Sequence, residues 1–127
     1  MKKSYIYFLL FVFGLLLNAC TYDFIVKEEL PPVDTTVPVS FAAKIAPIFV
    51  SNQYQCTSCH KTGGTAPDLT AANAYNSLNT LKLIDTTTPA SSKILTIPGS
   101  STHTWAKFSA AESQLILTWI QQGAKNN

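Results

Sequence analysis

The residue types able to do chemistry in this chain concentrate at Cys56-Thr57-Ser58-Cys59-His60. A CxxCH run is the attachment signature of a c-type haem. The spacing allows Cys56 and Cys59 to form thioethers with the two vinyl groups of one porphyrin. It also carries His60 under the ring, where its imidazole can bind the iron. Three side chains at fixed offsets meet three separate demands, so the expected cofactor is one covalent haem c. Other uses of a cysteine pair are poorly served. A structural zinc site wants four N or S ligands, and beyond the cluster only His103 remains downstream. A thioredoxin-like redox pair needs a βαβ setting, and no strand pattern surrounds the motif.

The elements that must position this motif begin with an address. Met1-Lys2-Lys3 is a basic n-region and Tyr5 to Leu17 an apolar h-region, too short for the roughly 20 residues of a membrane span. Leu17-Asn18-Ala19-Cys20 closes it and resembles the lipobox of exported bacterial lipoproteins. That resemblance implies cleavage after residue 19 and a lipid on Cys20, with an ordinary signal peptide and a chance cysteine as the alternative. The cysteine arithmetic agrees with lipidation: Cys20 goes to lipid, Cys56 and Cys59 go to haem, and no thiol is left over. The chain is therefore expected to sit in the bacterial cell envelope, anchored to a membrane through Cys20, with its domain in the periplasm.

The 127 residues allow one domain at most. The net charge of +2 comes from Lys2 and Lys3, which leave with the signal. There is no arginine, and the lysines from residue 40 onward are too few and too scattered for a nucleic-acid surface. Nucleic acid is not an expected partner. Residues 20–39 read as a flexible tether, with Pro31, Pro32 and Pro38 and no sustained apolar period; a small edge strand at Phe24-Ile25-Val26 is the alternative.

The domain spans 40–127 and reads as all-α. Ser40 is a fair N-cap for a helix with Phe41, Ile45, Ile48 and Phe49 on one face, and Pro47 should disturb it. A loop with Gly63, Gly64 and Pro67 follows the motif. A second helix is expected over 72–83, with Tyr75, Leu78 and Leu81 as its stripe and Thr70 as a possible cap. Residues 91–97 form a short helical or extended segment, and Pro98-Gly99 breaks the chain. The last helix is the best marked. Ser109-Ala110-Ala111-Glu112 fits a capping box, Leu115, Ile116, Trp119 and Ile120 give a 3.6-residue stripe, and Gly123 marks its stop.

Pro47-Ile48-Phe49 before the CxxCH, and Trp119-Ile120-Gln121-Gln122-Gly123-Ala124 near the end, give the chain a further likeness. From Ser40 to Ala124 it resembles the class I c-type cytochromes, in particular small single-haem domains. The resemblance implies a helical domain around one haem, with the first and last helices crossing near it. Phe49 and Trp119 are the candidates for that contact. It also implies a proline after the motif whose carbonyl orients the proximal histidine, a role that Pro67 matches loosely.

The sixth iron ligand is the open question. Met1 is the only methionine and leaves with the signal, so the methionine used by many relatives of that family is unavailable to the mature chain. His103 stands in the loop before the closing helix, where the family tends to place its distal ligand. The alternative is a surface histidine, with the iron five-coordinate or taking water or Lys107. The expected function is electron transfer by Fe(III)/Fe(II) cycling with a redox partner protein, not catalysis. A five-coordinate haem that binds a gas or peroxide is the second reading, and a non-haem lipoprotein interaction module the third. Histidine ligation would place the haem at comparatively low potential.

Overall fold

The computed structural model describes residues 33–50 and 55–127, together with Tyr7. The expected signal peptide, Cys20, the Phe24-Ile25-Val26 alternative and most of the tether lie outside the described residues. Those described are helix, turn and loop, with no strand among them, so the fold is all-α at this level. None of the described helices is long and apolar enough to cross a membrane.

A wide π-type turn, Phe41–Ile45, leads into α1 (Ala46–Val50). Its geometry answers Pro47, which offers no N–H and whose ring crowds the carbonyl four residues back. The turn before it is widened by one residue, so Ala46 N–H donates to Phe41 O. Ser40 caps this start as expected, its Oγ accepting from Ala43 N–H at 3.2 Å. The short α2 (Cys56–Cys59) carries both cysteines. α3 (Ala74–Thr80), a 3₁₀ turn (Pro89–Ser91) and α4 (Lys93–Thr96) follow, and α5 (Ala110–Gln121) closes the domain.

α3 is shorter than the 72–83 expected from its stripe. Lys82 takes a left-handed φ of 51°. Leu83 N–H then reaches back to Leu78 O at 2.9 Å and Lys82 N–H to Asn79 O at 3.0 Å, a Schellman stop without glycine. This reversal turns Leu83 toward Ile94, whose N–H donates to Leu83 O at 3.0 Å. α5 has the expected ends: Ser109 and Glu112 exchange both capping-box bonds, and Gly123 at φ 93° starts a second Schellman stop, with Ala124 N–H on Trp119 O at 3.0 Å.

The core joins the opening segment to α5. Phe41, Ile45, Phe49, Leu78, Ile116, Trp119 and Ile120 are all buried in it. Trp119 finds its opening-segment ring partner in Phe41, with centroids 5.2 Å apart, while Tyr75 stands edge-on to Phe41 at 5.3 Å. Phe49, the residue suggested for that contact by resemblance, is paired instead with Phe108 at 6.4 Å, toward the candidate site. Rotation along the helix explains the division. Phe41 and Phe49 are separated by a widened turn, which sends one to the α5 side and the other to the α2 side.

The last part of the expected tether is docked. Gln122 Oε1 accepts Val39 N–H at 2.7 Å, and its Nε2 donates to the carbonyls of Thr35 and Val37, both at 3.2 Å. An amide side chain at the end of α5 thus satisfies extended backbone that would otherwise lie unpaired on the domain. Residues 35–39 of the expected tether are thus held against the end of α5.

Candidate functional site

One cavity of about 470 Å³ gathers Cys56, His60, Pro67 and His103. Its walls are mostly apolar, with Leu69, Leu83, Ile94, Ile97, Ala106 and Phe108 among them. Its volume falls in the range of sites that hold an organic cofactor or a drug-sized ligand. Cys59 is one turn along α2 and exposed, and it is not part of the wall. Cys20 lies outside the described residues.

The His60 side is built from α2 and the loop behind it. α2 closes with His60 N–H on Cys56 O at 2.8 Å, which brings the imidazole to the end of the helix beside the first thiol. The loop then folds back beneath it. Gly64 N–H bonds Lys61 O at 2.8 Å, Thr65 N–H bonds Cys59 O at 2.9 Å, and Leu69 N–H bonds His60 O at 2.9 Å. The fold-back puts the Thr65 carbonyl 3.1 Å from His60 Nδ1. With Nδ1–H donating there, Nε2 is left as the free electron pair, the arrangement typical of metal-binding histidines. The orienting carbonyl is therefore Thr65's and not that of Pro67. The Thr65–Cys59 bond fixes Thr65 beside the imidazole, while Pro67, two residues on, lies in the cavity wall.

Asp68 holds this loop together. Its Oδ1 accepts from Thr70 N–H at 3.0 Å and Thr70 Oγ1 at 2.6 Å, and its Oδ2 from Thr62 Oγ1 at 2.6 Å and Asn73 Nδ2 at 2.9 Å. These bonds, Thr62's first, hold its carboxyl well below the usual carboxylate range. Sequence reading passed over this residue. Its available signal was local: an aspartate two residues before a threonine commonly closes an Asx turn.

The His103 side comes from the segment between Pro98 and α5. Gly99 N–H bonds His103 O at 2.9 Å and His103 N–H bonds Ser100 O at 3.0 Å, closing a tight turn that carries the ring inward. His103 Nδ1 has the Ala106 carbonyl at 3.4 Å, a long contact. The His60 and His103 rings are stacked, with centroids 6.0 Å apart and planes inclined by 29°.

The electrostatics of Cys56 point away from thiol redox chemistry. Burial pushes its thiol above the ordinary value, a backbone hydrogen bond partly offsets this, and the charge of Glu112 adds to the rise. A reactive thiolate requires the opposite shift. Among the described residues no group of three or more His, Cys, Asp or Glu converges to hold a bare metal ion. Two histidines and a thiol in the wall of an apolar slot are groups that could hold an iron macrocycle bringing its own four equatorial ligands.

No protein-family model, curated protein or solved structure matches this chain. The reading of the site rests on its own residues and geometry.

Proposed function

We propose that this chain is a monohaem c-type cytochrome of class I likeness that carries electrons for a redox partner protein. The observation that carries the proposal is the gathering of His60, His103 and the Cys56 thiol in the wall of one mostly apolar cavity. When bound, haem c supplies a one-electron Fe(III)/Fe(II) couple. In this proposal Cys56 and Cys59 hold the group covalently. His60, oriented by the Thr65 carbonyl, offers Nε2 from the proximal side, and His103 offers a nitrogen from the distal side. Leu69, Leu83, Ile94 and Phe108 keep water from the interior of the slot and lower its local dielectric. Two histidine ligands favour a lower potential than a histidine–methionine pair. The envelope location and the lipid at Cys20 belong to the same proposal and derive from the amino-terminal sequence.

A second reading, a haem open to a small gas or peroxide, draws on the 3.4 Å contact of His103 Nδ1, which holds the distal ring more weakly than the proximal one. The decisive experiment is haem staining of a denaturing gel after expression in a host that attaches haem c. The wild-type band should stain, and a Cys56→Ser, Cys59→Ser chain should not. An unstained wild-type band ends both readings.

A further inference from the structure

The distal segment carries a second aromatic residue whose position the electron-carrier reading does not use. The Trp105 indole is 75 % exposed, the most exposed large apolar side chain among the described residues. It is nevertheless not idle on the surface, because its ring lies 4.6 Å from that of His103 with the planes inclined by 33°. No helix holds His103, and its Nδ1 contact with the Ala106 carbonyl is long at 3.4 Å. The backbone turn fixes where residue 103 starts, but not the rotation of the imidazole about its side-chain bonds. An aromatic face two residues along can fix that rotation, since offset and tilted ring pairs are favoured over free rotation.

From this geometry we infer that Trp105 is a positioning residue: its indole clamps the His103 ring in the wall of the cavity that His103 shares with His60. The inference rests on the proposed use of His103 as the distal ligand and adds the device that keeps it there. The clamp is open to solvent on its outer face, so its grip is limited to what one ring pair supplies. That corresponds to a roughly two- to tenfold bias toward the clamped orientation. Trp105 thereby sets how often the distal position is free for a small ligand.

The test compares wild type with His103→Ala, Trp105→Ala and Trp105→Phe in the haem-loaded protein, by the rate of carbon monoxide uptake after reduction. Trp105→Ala should take up carbon monoxide about two- to tenfold faster than wild type, and Trp105→Phe should recover most of the difference. His103→Ala should be the fastest. If His103→Ala opens the iron while Trp105→Ala matches wild type, the clamp is refuted and the distal assignment stands. If His103→Ala matches wild type, or no haem is attached, the distal assignment fails and the clamp falls with it. A readout independent of haem comes from the NMR signals of the haem-free chain. Trp105→Ala should move the His103 ring protons, which lie in the indole ring current, and leave those of His60 in place. Unmoved His103 signals would overturn the clamp. Because the indole is largely in solvent, its removal opens no core cavity, and circular dichroism should show unchanged helix in all four proteins.

Discussion

His60 and His103 line one cavity, yet the segments that carry them are held very differently. His60 ends a helical turn, and the loop behind it is tied back by bonds from Thr65 to Cys59 and from Leu69 to His60. Asp68 adds four side-chain acceptor bonds to the same loop. His103 sits on a turn closed by Gly99 and Ser100, with a long carbonyl contact and an exposed indole as its further supports. The comparison teaches a division of labour. Preorganised polar contacts fix the His60 ring, whereas the His103 ring is placed by a shorter set of contacts. Under the proposed haem reading, one iron ligand would be held firmly and the other could respond.

The largest expected effect separates the two histidines. His60→Ala should abolish the low-spin absorption spectrum of the loaded protein. His103→Ala should leave the haem attached but raise the apparent affinity of the reduced iron for carbon monoxide by roughly a hundredfold, the factor set when only about 1 % of the molecules are otherwise open. Equal spectra for the two variants would erase the proposed asymmetry.

Glycine substitutions probe the two backbones. A Cβ at Gly64 would run into the Cys59 carbonyl, a backbone atom that the loop cannot move without releasing Thr65. Gly64→Ala should cost roughly 1–3 kcal/mol, as overpacking does. At Gly99 the obstacles are a φ of 81° and the Lys107 Cβ at 3.1 Å; Gly99→Ala should cost about 1–2 kcal/mol through its left-handed backbone. Urea unfolding of both variants measures the difference. A Gly64→Ala chain as stable as wild type would show that the proximal loop is less rigid than its bonds imply.

The smallest effect is a pH dependence. Asp68 has a depressed carboxyl pKa in the folded chain, so its contribution to stability is present above the unfolded value of about 4. It is lost progressively as the pH falls below that value toward the depressed folded one, because the unfolded chain takes up the proton first. Asp68→Asn should lower the Tm at pH 7, and its gap from wild type should narrow as the pH is lowered from about 5 to 3. A gap independent of pH would remove Asp68 from the account of the proximal loop.

Much of the helical plan was legible in the sequence because its signals are local. The Ser109–Glu112 box and Gly123 bracket α5 correctly, since capping and left-handed stops depend on residues within one turn of the helix end. The disturbance at Pro47 was equally legible, although its form as a wide turn was not. The end of α3 was misjudged because Lys82 adopts a conformation that its type does not favour, stabilised by the Leu83–Ile94 pairing beyond the helix.

The sequence by itself determined the cofactor chemistry to look for, through Cys56, Cys59 and His60, and the two histidines from which a distal partner had to be drawn. Only the tertiary structure decided that His103 and His60 line one cavity, that the Thr65 carbonyl meets His60 Nδ1, that Phe41 is the opening-segment ring on Trp119, and that residues 35–39 dock on the end of α5. The physical reason is range. Attachment motifs and helix caps are satisfied by neighbours a few residues away, whereas two imidazoles, 43 positions apart in the chain, are brought together only when the core around Phe49, Ile94 and Phe108 closes.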